Sequence, residues 1–528
     1  MKMAGKDLRD RAMAFLLFAI LVFATAPWAD PAAPTQPFSS SAIHVNVENL
    51  AASDDNPGTA ALPLKTINRA VQLAARYPTT DTAATVLVHR GVYRESVTIT
   101  RPLTLAARPG AEIRGSDVWS TGWTHSTGYW THPGLPAFQA HGTCEYGPKR
   151  CLWPEQVFYD GKPLLEVAGA PSKGQFAVTP DRAVVLAETP TGHTVEVTVR
   201  IGWVTIKSNG VTVTGFTMRH SANDAQTGAI TADASSNVSV VGNVLSDAHG
   251  AVISLSQGRN LRISENDISR GGQLGIHLSA VADTIVRHNR IHGNNTKAFS
   301  SNWEAGGLKA TRAVHLTADT NEVYENDGPG LWCDWECQDV VFSNNRIHHN
   351  VGPGIHYEIS HTAHISNNVV WKNGLGYSPT SNHWGWGAGI LLQNSNGCEV
   401  SGNTVAWNGN GITVLEQDRG PAYLVFNTFV HDNVIVSSDA QGDGIVYALA
   451  WLSDHPTKMF TSSQNNSASS NRYGYSGVRE SSWRFAWGGG GFSRLADFAT
   501  TPGGKGGSYL TLEEQESVLR AVGVSLSP

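Results

Sequence analysis

The stretch VVFSNNRIHHNVGPGIHYEISHTAHISNNVV, residues 340–370, contains one complete repeat of a short pattern and the beginning of the next. In each copy an alternation of apolar and polar residues leads to an asparagine, first Asn345 and then Asn368. A second apolar segment follows Gly354 and separates the two copies. Alternation with a period of two is typical of β-strands that bury one face. The stretch therefore predicts short strands within a repeat of 23 residues.

The same pattern recurs through the centre of the chain. Its asparagines are Asn243, Asn266, Asn289, Asn321, Asn345, Asn368 and Asn403, at spacings of 23, 23, 32, 24, 23 and 35 residues. One coil is therefore about 23 residues long, and two coils carry insertions. Each coil also contains a strand that begins with glycine, such as GIHL, GLWC or GIHY. This period has room for three short strands and three turns, so we predict an all-β, right-handed parallel β-helix. The asparagines should stack at one turn as a structural ladder.

The flanking sequence predicts how the chain is divided. Basic residues followed by an apolar run indicate a signal peptide over residues 1–29. Residues 30–116 should form the N-terminal cap and first coils, with a capping helix that begins at Thr66. Residues 117–200 lose the repeat and alternate like antiparallel strands, which predicts an inserted small β-sandwich. Residues 201–437 form the main β-helix, and residues 438–528 form a C-terminal tail and cap in which the repeat fades.

Charge, apolar runs and cysteines indicate where the protein is located and which partners are excluded. The 38 basic and 44 acidic residues give a net charge of −6 and form no basic run, so we expect no nucleic-acid partner. The signal peptide predicts a secreted or periplasmic protein, and no later apolar run predicts a membrane span in the mature chain. Cys144 and Cys151 could form a disulfide, whereas Cys333 and Cys398 align with core positions. No metal-binding cysteine pattern occurs, so we predict no metal site.

Candidate catalytic residues follow from the register of the glycine-headed strands. Side chains two and four positions after each glycine should face outward, and successive coils place them about 4.8 Å apart. The first set is His277, Lys309, Trp332, His356, Leu391 and Thr413, and the second is Ser279, Thr311, Asp334, Glu358, Gln393 and Leu415. Asp334 and Glu358 should therefore lie side by side in an open trough. Two carboxylates roughly 5 Å apart match the nucleophile and acid/base of retaining glycosidases.

Other residues are candidates for contact with a substrate. The two coil insertions carry Trp303 and Trp384 and should bracket the carboxylate pair, where aromatic faces could stack on sugar rings. Trp332 and Trp335 lie next to Asp334 in the sequence and are candidates for direct contact. Supporting positions are His356, His361 and Gln393, and Lys309 could act either as an ion-pair partner of the acids or on the substrate.

Two motifs resemble a known family. GLWCDW, residues 330–335, is followed one coil later by HYEISH, residues 356–361. The pair resembles the motifs of family 120 glycoside hydrolases, β-xylosidases built from a β-helix with an inserted β-sandwich. The resemblance implies that Asp334 is the nucleophile and Glu358 the acid/base. It covers roughly 40 residues closely, so we do not infer specificity for xylose.

Three functions remain open at this stage. The leading hypothesis is a retaining glycoside hydrolase that acts on a plant or bacterial saccharide without a cofactor. The second is a polysaccharide lyase or uronate epimerase, in which Lys309 abstracts a proton and a cation such as calcium, held by Asp334 and Glu358, neutralises the uronate. The third is a non-catalytic surface solenoid that binds glycans.

Overall fold

The structure, a computed structural model, describes residues 42–76, 84–145, 147, 149–377, 383–437, 446–475 and 483–524. The predicted signal peptide, residues 1–29, lies outside these ranges. Within them, three sheets of 13 strands each run along one axis, and each coil contributes one strand to each sheet. Pairing between coils is parallel, as in Leu331–Asp334 with Ile355–Glu358, and the second sheet ends in an antiparallel hairpin of Phe485–Trp487 with Gly490–Phe492. The prediction of an all-β, right-handed parallel β-helix is confirmed.

The bounds of the strands show the stacking. The first sheet contains Ile43–Val45, Ala84–Val88, Leu103–Ala107, Val211–Thr214, Ser239–Val241, Arg259–Ser264, Ala282–Arg287, Val314–Asp319, Gln338–Ser343, His361–Ser366, Asn396–Ser401, Phe429–His431 and Ser467–Ser469. The second contains Val97–Ile99, Val204–Ile206, Gly228–Asp233, Ala251–Ser256, Leu274–Ser279, Gly306–Thr311, Leu331–Asp334, Ile355–Glu358, Ala388–Gln393, Asn410–Glu416, Leu449–Ser453, Phe485–Trp487 and Gly490–Phe492. The third contains Gly91–Tyr93, Ala111–Arg114, Thr217–Ser221, Val244–Ala248, Asp267–Ser269, Arg290–His292, Glu322–Tyr324, Arg346–His348, Val369–Trp371, Thr404–Ala406, Val434–Ser437, Arg472–Tyr475 and Ser508–Tyr509.

Two smaller sheets interrupt the solenoid after its first coils. One consists of Ser116–Val118, Val157–Tyr159, Lys162–Pro163 and Val195–Thr198, and the other of Thr124–Ser126, Tyr129–His132, Leu165–Glu166, Gln175–Val178 and Val184–Leu186. Their inner faces share an apolar core that includes Val157, Phe176 and Val197. They form the inserted β-sandwich that the lapse of the repeat predicted.

Short helices close the ends of the solenoid. Helix α1, Ile67–Ala74, buries Ile67 and Val71 against the core of the first coils, and the Thr66 hydroxyl accepts the first-turn N–H of Arg69. Helix α2, Leu495–Phe498, packs on the last strands of the second sheet at the other end, and helix α3, Leu512–Ala521, lies along the outer face of the third sheet, near Ala406 and Val436. Short 3-10 turns span Arg150–Leu152 and Ser462–Gln464. No helix in the described ranges is both long and apolar enough to cross a membrane.

The asparagine ladder forms as predicted, between the first and third sheets. Each Asn Nδ2 donates to the Oδ1 of the next, as in Asn345 to Asn368 at 2.9 Å. The ladder continues beyond the predicted positions to Asn433 and Asn471, and parallel strands likewise continue past residue 437, where the repeat fades in the sequence. Buried amides with full hydrogen bonding fix the coil-to-coil register.

A second ladder, which sequence analysis missed, lies between the third and second sheets. It comprises Asn294, Asn326, Asn350, Asn373 and Asn408, linked by side-chain hydrogen bonds of 2.8–3.0 Å. Each member follows a member of the first ladder by five residues, and this spacing was the overlooked signal. Both coil insertions leave the solenoid just after this second ladder, beside the second sheet.

Candidate functional site

The two candidate acids occupy neighbouring strands of the second sheet. Asp334 and Glu358 are register partners, flanked by Thr311 on one side and Gln393 on the other. Cys333 and Tyr357, one residue earlier, are fully buried in the core, so the two acids point outward. Neighbouring strands lie about 4.8 Å apart. The predicted register is therefore present, and it places the carboxylates side by side on one face.

Lys309 is the partner of Asp334. Its Nζ lies 2.9 Å from Oδ2 of Asp334 and donates to the carbonyl oxygen of Trp303 at 3.0 Å. The same ammonium sits 3.7 Å from the centre of the Trp332 ring, a cation–π contact. Lys309 is 3% exposed. The lysine therefore compensates the negative charge of Asp334 and is itself held by two further contacts.

Glu358 is held by a different set of groups. Its Oε1 lies 3.2 Å from Nη1 of Arg419, and its Oε2 lies 3.6 Å from Nε2 of His356. The His356 ring is in turn hydrogen-bonded to Gln393 at 2.9 Å, and Gln393 donates to Gln417 at 2.6 Å. His356 and Gln393 thus support Glu358, as their positions in the sequence predicted.

Trp332 joins the two halves of the site. Its ring stacks on that of His356 with 5.4 Å between centroids and 8° between planes, while its other neighbour is Lys309. The indole Nε1 is buried and has no hydrogen-bond partner among the described residues. A buried donor without a partner is costly unless a ligand supplies an acceptor. Trp332 is therefore placed to donate to a bound molecule.

A third acid, Glu304, lies near Lys309 and was not predicted. The first coil insertion, before Gly306, brings Glu304 to within 3.1 Å of His277 Nε2, and Gln226 donates to its other oxygen at 2.6 Å. Burial alone raises the pKa of Glu304, but the hydrogen bond and charge of His277, with the charge of Lys309, outweigh it and bring the pKa below its ordinary value. Glu304 is adjacent to Trp303, which was predicted, so its place in the insertion was the available signal.

The remaining predicted residues occupy varied positions. Trp303 packs its ring near Phe299 and contributes its carbonyl oxygen to Lys309. Trp335 lies on the turn after Asp334, is 48% exposed and has the Arg312 guanidinium 5.2 Å above its ring. Trp384, 37% exposed, lies at the edge of the second insertion.

His361 is not on the face that carries the acids. It begins a strand of the first sheet, around the corner from Glu358, and its Nε2 lies 3.4 Å from Glu336. Its position beside the pair was inferred from sequence distance alone, and the intervening turn redirects the chain. His361 therefore acts on the turn that follows Asp334 rather than on the carboxylates.

The site is more enclosed than expected. Glu358, His356 and Trp332 are all less than 9% exposed: the first insertion contacts Lys309 beside Trp332, and Arg419 lies against Glu358. On the C-terminal side, Leu391 and Leu415 form an apolar cluster with Trp386 that fills the face beyond Glu358. The expectation of an open trough is wrong for this reason. The half-buried Asp334 marks the more accessible edge.

The arrangement can perform acid/base and nucleophilic chemistry on a small polar ligand. It combines a charge-compensated carboxylate, a second carboxylate one strand away and an unpartnered indole donor. Across the described ranges, no cluster of three or more His, Cys, Asp or Glu side chains is arranged to hold a metal ion.

Comparisons with known proteins agree with the fold. Residues 228–385 match the family described as "Right handed beta helix region". Among solved structures, a complex of XylC with xylose has a TM-score of 0.61 at 16% identity, covering 84% of this chain and 85% of that one. A structure titled "Glycoside hydrolase" has a TM-score of 0.49 at 11% identity, covering 84% and 96%. The A-module of Azotobacter vinelandii mannuronan C-5 epimerase AlgE6 has a TM-score of 0.47 at 13% identity, covering 88% and 98%.

No curated protein matches the sequence. At 16% identity the similarity to the XylC structure establishes the architecture alone and leaves the chemistry to be argued from the side chains. The chain is thus similar to right-handed β-helix proteins in its central coils and in its overall fold.

Proposed function

We propose that this protein is a retaining glycoside hydrolase that removes a small terminal sugar from a saccharide. The observation that carries the proposal is the register pairing of Asp334 with Glu358 on one outward face. That spacing suits direct attack by one carboxylate, because an inverting enzyme needs about 6.5–9.5 Å to admit a water molecule.

The surroundings of Asp334 suggest its role as the nucleophile. A nucleophile must carry charge, and the Lys309 ammonium 2.9 Å from Asp334 compensates that charge. Asp334 then attacks the anomeric carbon while Glu358 donates a proton to the leaving oxygen. In the second step Glu358 takes a proton from water, and the water oxygen displaces Asp334 and restores both groups. The family resemblance assigns the same two roles.

Enclosure suggests the size of the substrate. The apolar cluster of Leu391, Leu415 and Trp386 occupies the face that a long polysaccharide would have to cross. A single sugar ring entering from the Asp334 edge fits the available face better than an internal segment of a chain. The indole N–H of Trp332 would donate to a hydroxyl group of that ring.

The lyase or epimerase alternative requires Lys309 as a free base. Its ammonium is instead engaged by Asp334, the Trp303 carbonyl and the Trp332 ring. A lysine held in this way is a poor proton acceptor, so the contacts favour the hydrolase. Because Lys309 and Arg419 compensate the two like charges, the pairing of the acids alone does not decide against the non-catalytic alternative, and the glycan panel distinguishes the two.

A glycan panel tests the proposal. Wild-type protein and the Asp334→Asn variant are incubated with neutral and uronate-containing oligosaccharides, and the initial product anomer is followed by nuclear magnetic resonance. We expect release of one sugar with retained configuration by the wild type and no release by the variant. Asp339→Asn is the matched control, since it removes the same charge from a partly exposed side chain on the strand Gln338–Ser343 of the first sheet and should keep full activity.

Other outcomes of the panel would overturn the proposal. An unsaturated product that absorbs in the ultraviolet and requires calcium would select the lyase. Inversion at the anomeric carbon would exclude Asp334 as a nucleophile. Binding of glycans without any product would select the non-catalytic solenoid.

A further inference from the structure

The inserted β-sandwich sends one covalently closed loop onto the catalytic face of the solenoid. Cys144 and Cys151 form a disulfide, which confirms the pairing considered from the sequence. Cys144 forms an antiparallel bridge with Phe299, in the first coil insertion. Two backbone hydrogen bonds flank this bridge, from Glu145 N to Ala298 O at 3.0 Å and from Ser300 N to Thr143 O at 2.8 Å. The closed loop and the insertion therefore form one small layer.

Both sides of this layer are anchored by buried groups. The Lys297 ammonium, in the insertion, donates to the carbonyl oxygens of Trp153 and Glu155 at 2.9 and 3.1 Å. From the solenoid, Nε2 of the buried His249 lies 3.0 Å from the carbonyl oxygen of Cys151. The fully buried Cys151 and Phe299 belong to the same apolar cluster. The disulfide loop is thus fixed to the solenoid at its Cys151 end and to the insertion at its Cys144 end.

The approach of the two segments depends on a glycine. Gly142 has a φ of +139°, and a Cβ there would lie 2.7 Å from Phe299 and 3.0 Å from Trp303. Residue 141 is linked to the site through one intermediate, because the His141 ring contacts Gln226 at 3.3 Å and Gln226 donates to Glu304. The loop therefore lies behind the two residues, Trp303 and Glu304, that face the catalytic groups.

Trp303 and Glu304 connect the disulfide loop to the groups that contact Asp334. The amide of Glu304 donates to Ser300 O at 3.0 Å, so Glu304 is built on the segment that the loop covers. Its side chain meets His277, and the carbonyl oxygen of Trp303 accepts from Lys309. Any shift of the segment moves the group that holds Lys309 against Asp334.

We propose that the Cys144–Cys151 disulfide is a positioning element of the active site, which holds the segment 298–304 so that Lys309 keeps its place beside Asp334 and Glu304 keeps its place beside His277. This inference rests on the proposed function for its activity readout. Reduction would lower turnover and leave the solenoid folded, because the loop lies outside the coils and their ladders.

The first experiment uses the full-length protein and a phosphine reductant. The phosphine breaks the S–S bond, the cysteines become two thiols with protons from water, and the phosphine takes up the water oxygen as its oxide. We expect kcat to fall about tenfold while KM changes less than threefold, since misplacement of about 1 Å can cost up to 10²-fold. The thermal midpoint of the solenoid should stay within a few degrees. The Cys144→Ser/Cys151→Ser variant is the matched control, since it should show the lowered kcat without any reductant and no further response to it.

A double-mutant cycle distinguishes a positioning role of the disulfide from a general loss of folding stability. Glu304→Gln should lower kcat more in the oxidised protein than in the Cys144→Ser/Cys151→Ser background, because the disulfide acts through Glu304. Additive losses, or loss of kcat together with collapse of the thermal midpoint, would overturn the proposal. If the double cysteine variant does not fold, the same cycle is run by reducing folded wild-type and Glu304→Gln proteins.

Hydrogen exchange makes the test independent of catalysis. We expect the Ser300 and Glu304 amides to exchange faster after reduction, while the amides of Ile355–Glu358 remain protected. Unchanged exchange and unchanged kcat would refute the positioning role. Faster exchange in a protein that hydrolyses no glycoside would sustain the positioning of the segment and refute the proposed function alone.

Discussion

Glu358→Gln is the substitution that most directly probes the chemistry. The amide has the shape of the carboxylate and remains beside Arg419 and His356, but it cannot donate the acidic proton. The change removes the ion pair to Arg419, whose side chain is 37% exposed, so we expect stability to fall by about 1 kcal/mol or less. General acid catalysis contributes about 10²–10⁴-fold, which corresponds to about 2.7–5.4 kcal/mol in the barrier. The expected catalytic loss therefore exceeds the loss of stability.

The assay compares two classes of leaving group on the sugar that the glycan panel identifies. A sugar or alkyl leaving group needs the proton of Glu358, so kcat/KM should fall by the full factor. A dinitrophenyl group departs without a proton, so its release should fall far less. Added azide should then restore turnover of the dinitrophenyl substrate, because this anion attacks the glycosyl–Asp334 ester without a general base.

The refuting results are specific. Equal losses for both leaving groups would show that Glu358 does not act as the proton donor. A glycosyl azide of inverted configuration would show that no ester with Asp334 forms. Full activity of Glu358→Gln on an alkyl glycoside would remove the proposed mechanism altogether.

Three further predictions concern charge, register and pH. Lys309→Met should lower hydrolysis about 10²–10³-fold, since it removes the charged donor that stabilises Asp334 as the nucleophile, and complete loss of activity together with retained folding would instead indicate a catalytic base. Asn345→Ala removes four hydrogen bonds of 2.9–3.0 Å from buried partners and should lower the free energy of unfolding by about 3–5 kcal/mol in denaturant titrations; a change below about 1 kcal/mol would contradict the structural role of the ladder. Burial lowers the pKa of His220 to about 4, so the folded state binds fewer protons than the unfolded state between this value and 6.5, and stability should fall as pH drops through that window. His220→Gln should flatten that dependence in unfolding curves measured from pH 7 to 4, and an unchanged slope would refute the assignment.

The fold and the relative placement of the two acids could be predicted because both depend on local periodicity. A period of two assigns Asp334 to the outward face, and a repeat of 23 or 24 residues aligns it with Glu358. The positions of Trp332, His356 and Gln393 follow from the same counting. None of these assignments requires knowledge of the loops.

The positions of the residues that reach the site from loops could not be predicted from the sequence. Glu304 and Arg419 reach the site from segments without periodicity, and their paths depend on contacts with the disulfide loop and with neighbouring turns. The burial of the site could not be predicted for the same reason. The repeat pattern located the insertions in the sequence but did not predict their conformation. His361 was misplaced because a turn between sheets changes direction within two residues of Glu358.

The asparagine ladders keep the coil-to-coil register constant on both sides of each inserted loop. Asn289 bonds Asn321 across 32 residues, and Asn368 bonds Asn403 across 35, with the same 2.9–3.0 Å geometry as coils without insertions. The coils before and after each inserted loop therefore pair in the same register as coils without an insertion. The walls of the pocket can be lengthened, shortened or exchanged in the laboratory while the distance between the carboxylates stays constant. A library confined to residues 295–304 and 383–387 should thus change which sugars are accepted and keep the reaction.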